Sequence, residues 1–144
     1  MITIRVAGVP APQGSKRHVG GGRMIESSRA VGPWREAVRA ETQHAMGRME
    51  TSDWPGLHSP VQVTVKFTLP RPQGHYGTGR HATTVRPSAP RWPHRKPDLD
   101  KLIRAVLDGI TQGGAIADDA QVVRIAAQKT YGTPGAVITI EELT

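Results

Sequence analysis

The sequence contains no cysteine, which excludes a disulfide framework, a thiolate nucleophile and any cysteine-ligated zinc site. Aromatic side chains are scarce. Phe67, Tyr76, Tyr131, Trp34, Trp54 and Trp92 are the whole set, enough for a modest core. No apolar run approaches the ~20 residues of a membrane span. Met1-Ile-Thr-Ile-Arg-Val6 reads as a strand rather than a signal peptide, so a soluble, intracellular protein is expected. Carboxylates are also in short supply: 12 Asp and Glu stand against 19 Lys and Arg, a formal net charge of +7. Such an excess attracts polyanions, although arginine-rich solvated surfaces give the same total. The deficit is uneven, because residues 54–97 hold seven Lys and Arg and no acid.

What is present describes one domain of 144 residues. Ile2, Ile4 and Val6 alternate with Thr3 and Arg5, the period of a half-buried strand. Pro10 to His18 is loop-like and basic, and Gly20-Gly21-Gly22 suits the turn of a short hairpin between 16–19 and 23–26. Ser27 or Ser28 is a candidate cap for a helix over about 33–48, with Pro33 in its first turn. Val61, Val63, Val65, Phe67 and Leu69 then alternate with polar residues and predict the clearest strand of the chain. Residues 70–97 form a long connection with six prolines and six Lys and Arg, expected to act either as a mobile basic arm that orders on a polyanion or as a merely solvated insertion. Leu99, Leu102, Ile103, Val106, Leu107 and Ile110 form one apolar stripe, a helix with Asp98 as N-cap and Gly113-Gly114 as its end. Two closing strands follow over 121–131 and 136–140. The expected architecture is α+β: a single domain with two main helices on a mixed or antiparallel sheet.

The acids collect in one place. Five of the 12 carboxylates, Asp98, Asp100, Asp108, Asp118 and Asp119, fall within residues 98–119. Taken singly they have ordinary explanations: Asp98 as a cap, Asp100 facing the helix dipole, Asp100–Arg104–Asp108 as a ladder of i, i+4 ion pairs, Asp118-Asp119 as a polar turn. Taken together they suit a hard divalent cation, provided the helix start and the turn before the next strand lie at the same end of the layer. Mg²⁺ keeps waters that serve attack on a phosphodiester, and Lys101 and Arg104 stand by to hold the phosphate. Spacing alone leaves both readings open. The six histidines have no zinc spacing, and Gly20-Gly-Gly lacks the Gly-Lys-Ser/Thr of a phosphate loop. Trp92 suits either stacking on an unpaired base or anchoring the arm.

Lys96-Pro-Asp-Leu-Asp-Lys-Leu-Ile-Arg-Ala-Val-Leu-Asp108, followed by Ala117-Asp-Asp-Ala-Gln-Val-Val123, resembles the signature of the RusA family. These are Mg²⁺-dependent endonucleases that resolve four-way (Holliday) DNA junctions, many of them carried by phages. Weaker similarity covers the basic Pro-rich segment at 10–17, the Trp34 helix and His75-Tyr-Gly-Thr-Gly-Arg80. The resemblance implies that Asp98, Asp100 and Asp119 are metal-binding and catalytic acids, with Asp118 beside them and Asp108 structural. Lys101 stands where the family usually has Asn, and Arg104 where it usually has a functional Lys. Arginine keeps the charge and forks onto phosphate but is a poor proton donor.

The expectation is therefore a crossover-junction endodeoxyribonuclease using Mg²⁺, with Mn²⁺ as a substitute, and no small-molecule cofactor. Its partners would be branched DNA and a second copy of itself, with no membrane, in the cytoplasm of a bacterium or a phage-infected host. Lys16, Arg17, Arg71, Arg80, Arg91, Arg95, Lys96 and Lys101 are the candidate DNA contacts, and Arg104 joins the catalytic set. Two alternatives stand beside it. One is a branched-DNA-binding protein of the same fold that has lost turnover through Arg104. The other is a protein-interaction module whose acids are only caps and ion pairs.

Overall fold

The computed structural model describes the whole chain except residues 15, 19–23, 27–28 and 50–53, and covers only the backbone at 16–18 and 24–26. The alternation at the N-terminus forms β1 (Ile2–Ala7), whose even-numbered residues are buried. A two-stranded antiparallel ribbon follows, β2 (Lys16–His18) with β3 (Met24–Glu26), as the glycine triplet predicts, the turn itself lying outside the described residues. Next come α1 (Val31–Gly47), β4 (Val61–Leu69), α2 (Leu99–Gln112), β5 (Val122–Tyr131) and β6 (Gly135–Glu142). The order β1-β6-β4-β5 makes a four-stranded mixed sheet: β6 is antiparallel to β1 and β4, while β4 and β5 are parallel. The α+β expectation holds.

One face of the sheet carries the core. Ile2, Ile4, Val63, Val65, Phe67, Ile138 and Ile140 meet Val31, Trp34 and Val38 of α1 and Leu102, Val106 and Ile110 of α2. Each such side chain contributes roughly 1.5–3 kcal/mol by leaving water. The other face shows Thr3, Arg5, Thr64 and Lys66 to solvent, so the alternation in β1 and β4 reads directly as core against surface.

The predicted stripe of α2 is rotated in the structure. Leu102, Ala105, Val106, Gly109 and Ile110 are fully buried, whereas Leu99, Ile103 and Leu107 are only half-buried. The cause is α1. A Cβ on Gly109 would stand 2.5 Å from Val38 Cγ1, and one on Gly113 2.5 Å from Thr42 Cβ, so the two helices touch through small residues. Helix α1 begins at Val31, two residues before the predicted start. Ala30 holds its N-cap position without a side-chain hydrogen bond, and the capping serines lie outside the described residues.

The long arm differs from the expectation. Residues 70–97 are folded by their own turns: short 3₁₀ turns at Gln73–His75 and Gly79–His81, and an isolated bridge between Tyr76 and Val85. The Gly77 amide donates to the Thr84 carbonyl at 2.9 Å, and Arg86 to the His75 carbonyl at 2.8 Å. Gly77 is needed here because a Cβ would meet His81 Cβ at 2.6 Å. Trp92 is half exposed and is not the anchor of this segment; Pro93 beside it is buried.

Gly109→Ala should lower stability by about 1–3 kcal/mol, the usual cost of overpacking, because Val38 has no room to move. Gly32→Ala in α1, which meets nothing within 4 Å, should instead be neutral or stabilising by up to about 1 kcal/mol. Thermal unfolding followed by circular dichroism separates the two outcomes.

Candidate active site

Helix α2 decides where the acids go. Asp98 occupies its N-cap position with extended backbone, its carbonyl accepting from the Leu102 amide at 3.1 Å. The Asp98 side chain does not cap, contrary to the sequence expectation. It lies 3.7 Å from Lys101 Nζ in an exposed ion pair worth about 0–1 kcal/mol. Asp100, in the first turn, is exposed at the positive end of the helix dipole. Among the described residues no ion pair joins Asp100 to Arg104, so the expected ladder is not formed. Asp108 turns to α1, 3.9 Å from Arg35, in keeping with a structural role.

The entrance to α2 is tied down from two sides. Lys129 of β5 donates through Nζ to the carbonyls of Arg95 and Pro97, at 2.9 Å each. The Gln13 amide donates to the Lys101 carbonyl at 3.0 Å, and Gln13 Oε1 accepts from Arg35 at 3.1 Å. This second tie brings the basic Pro-rich segment beside the first turn of α2. Lys16 follows three residues later on β2; its side chain and that of Arg17 lie outside the described residues.

The second acid pair stands elsewhere. Asp118 and Asp119 open a 3₁₀ turn (Asp119–Gln121) just before β5, both exposed. Asp118 Oδ1 accepts from the Ala120 amide at 2.8 Å, so its carboxylate already serves a cap. Gln121 holds the turn. Its Oε1 accepts from the amides of Ala117 and Asp118, at 2.7 and 3.0 Å, and its Nε2 donates to the carbonyls of Gly56 and Ser59, at 3.0 and 2.9 Å. Trp54 Nε1 adds a bond to the Ala115 carbonyl at 2.8 Å. The Asp118-Asp119 turn is thereby pinned to the segment that starts β4.

The two acid pairs therefore lie at opposite ends of α2, roughly 20 Å apart along its 14 residues. The condition set by the sequence reading, that the helix start and the turn before the next strand lie at the same end of the layer, is not fulfilled within the chain. Among the described residues no three His, Cys, Asp or Glu side chains stand together as a metal-binding group. The reason is the connection itself: a helix that leaves the carboxyl end of β4 and leads into parallel β5 must run back along both strands.

The basic candidates divide as well. Arg71 is structural: Nη1 donates to the Pro90 carbonyl at 2.8 Å and stands 3.3 Å from His75 Nδ1, and its guanidinium lies 4.4 Å over the Tyr131 ring. Arg86 serves the arm through Nε to the Tyr76 carbonyl, at 2.6 Å. Arg80, Arg91, Arg95 and Lys96 are exposed, with Arg91 stacked 5.2 Å over the exposed Trp92. Lys101 is half-buried and Arg104 exposed, one turn beyond Asp100. On the outer side of α1, the hydrogen bonds from Arg39 hold the Glu36 carboxyl below its usual range, so this cation is already neutralised. Sequence reasoning missed the roles of Gln121, Lys129 and Tyr131. Gln121 stood inside the motif, but Lys129 and Tyr131 carried no local signal.

The fold is a small basic α+β domain with exposed carboxylates before and after one helix. The chain is a member of the RusA endodeoxyribonuclease family, whose model matches residues 6–141. No curated protein matches it. Among the described residues, no helix is long and apolar enough to cross a membrane.

Gln121→Ala should remove the two bonds to Gly56 and Ser59 and strand the Asp118 amide, while the Ala117 amide keeps its bond to the Leu57 carbonyl at 3.1 Å. The expected loss is about 1–3 kcal/mol of stability. Faster hydrogen exchange at the Asp118 amide, with the α1 amides unchanged, would locate the damage in this turn.

Proposed function

We propose that this chain is a structure-specific endonuclease that hydrolyses phosphodiesters of four-way or related branched DNA, as a symmetric homodimer with Mg²⁺ bound. The observation that carries the reading is the family match over residues 6–141, which spans both acid pairs. Asp98, Asp100 and Asp119 suit the metal: all are exposed hard-oxygen donors, and neither the Asp100 nor the Asp119 carboxylate has a hydrogen-bond or ion-pair partner among the described residues. Asp118 is a lesser ligand because one oxygen already caps its turn. When bound, Mg²⁺ (or Mn²⁺) would supply an activated water and a Lewis acid for the phosphate.

The separation of the acids within one chain supports the dimer. Among the described residues, strand β5 is the end strand of the sheet and pairs with β4 alone, and Val123 and Ile125 are 63% and 41% exposed on it. A two-fold axis beside β5 and perpendicular to it sets two copies of α2 and β5 antiparallel, which exchanges their ends. Asp98 and Asp100 of one copy then approach Asp118 and Asp119 of the other. Arg104, projecting one turn beyond Asp100, would fork onto the phosphate, and Lys101 would add a second charge. Arg80, Arg91, Arg95 and Lys96, with Lys16 and Arg17, would follow the DNA backbone.

Wild type should nick a synthetic four-way junction only with Mg²⁺ or Mn²⁺ present. Asp100→Asn should lose more rate than the roughly 10–100-fold typical of an outer-shell change, while keeping junction affinity. Mixing inactive Asp100→Asn with inactive Asp119→Asn protein should restore nicking. Half the dimers would be mixed, each with one intact site of two, so about a quarter of the sites would work. A site within one chain gives no rescue. Arg104 favours a second reading, a junction-binding protein without turnover: tight binding without nicking, restored by Arg104→Lys, would select it.

A further inference from the structure

The carboxyl ends of β4 and β5 frame a cleft of about 580 Å³ that the roles given above leave unused. Leu69 and Tyr131 are the last residues of these two strands, and Lys96-Pro97, directly before Asp98, form another wall. Pro10, Pro72 and Pro93 line the rest with flat rings on backbone of fixed φ, so the walls keep their shape without a ligand. Its volume falls in the roughly 300–1,000 Å³ range of small-molecule sites. A single nucleotide fits this space, and a base pair with both its backbones does not.

We propose that this cleft receives one unpaired nucleobase of the DNA substrate, with the adjoining phosphate on Arg95 and Lys96 at its rim. The inference deepens the nuclease reading and rests on it. Charge complementarity selects the occupant: the lining holds two exposed cations and no acid, while Tyr131 and His75 supply aromatic surface. Both rings are held in place. Arg71 lies 4.4 Å over Tyr131, and the His75 ring meets Tyr131 edge-on with centroids 5.4 Å apart. The contact from Arg71 to His75 Nδ1, at 3.3 Å, makes that nitrogen the acceptor and leaves Nε2–H as a donor for a base edge. Branch points offer such bases, because nucleotides at an exchange of strands unstack at less cost than those within a duplex. The cleft also adjoins the acids in sequence. A base seated between Pro97 and Tyr131 would fix which phosphate reaches Asp98 and Asp100, giving the cut its register.

Gly74 provides the test. It lines the cleft in ordinary backbone conformation, and a Cβ there meets nothing within 4 Å, so a Gly74→Trp side chain starts from open space at the cleft wall. Junctions carrying 2-aminopurine at one position at a time would be titrated with wild type and variant, with binding followed separately by anisotropy of a fluorescein label. Single strands and plain duplex carrying the same bases serve as parallel probes. Wild type should change the 2-aminopurine emission at one position near the crossover. Gly74→Trp should abolish that change and weaken junction binding about tenfold, the order expected for one lost stacking contact, with duplex binding unaltered. Tight junction binding with no responding position, or an unchanged response in Gly74→Trp, overturns the proposal. A protein that binds single strands through the cleft, sensitive to Gly74→Trp, but shows no preference for junctions would overturn the nuclease reading and leave the cleft standing.

Discussion

The parallel pairing of β4 with β5 is the constraint on which the rest of this structure depends. Parallel neighbours cannot be joined by a tight turn, so the chain must travel back between them, and α2 is the segment that does so. Everything placed at the start of α2 falls at the carboxyl ends of the two strands. Everything between α2 and β5 falls at their amino ends. Lys129 shows the first arrangement directly, since a residue near the end of β5 holds the carbonyls that lead into the helix. Gln121 shows the second, binding the carbonyls that precede β4. The distribution of carboxylates is thus a consequence of topology rather than of local sequence.

The same topology sorts the arginines. A count of basic residues across 54–97 suggests a continuous electropositive arm, but several of these charges have work inside the fold. Arg71 stacks on Tyr131 and closes the base of the arm onto Pro90, and Arg86 binds the carbonyl of Tyr76. These cations replace the apolar contacts that a proline- and glycine-rich segment lacks. With a planar guanidinium, one side chain can satisfy a carbonyl and cover a ring at the same time. The positive charge left free of such contacts is narrower than the composition implies, with Arg80, Arg91, Arg95 and Lys96 exposed.

Much of the fold was legible in the sequence because its signals are local. The alternation in β1 and β4 and the stripe of α2 each give their element to within a residue or two, since burial on one face is what writes those patterns. The rotation of α2 was not legible. It depends on Gly109 and Gly113 admitting Val38 and Thr42, contacts between residues some seventy positions apart. The motif marked the acids but gave no distance between them, and within one chain α2 holds the two pairs apart. A pattern of residues along a chain does not say whether the helix between them brings them together or holds them apart. Asp98 was read as a cap because its residue type and position suit one, yet Lys101 at i+3 engages the carboxylate instead.

The end strand raises a further physical question. An exposed strand edge carrying Val123 and Ile125 is a hazard for a monomer, and natural sheets blunt such edges with bulges and charges. Here the register between β4 and β5 shifts at Val61/Gln62, beside Val123, and Arg124 reaches across to Gln62 Oε1 at 2.9 Å. That protection is confined to the amino end of the strand. Further along, Ile125 faces the helix side of the sheet, where α2 stops short of covering it. On the same side of α2, Ile103 and Leu107 are buried only in part. Half-covered apolar side chains thus remain both on the helix and on the edge strand next to it. A second copy related by a two-fold axis would cover them and at the same stroke would return the separated carboxylates to one another.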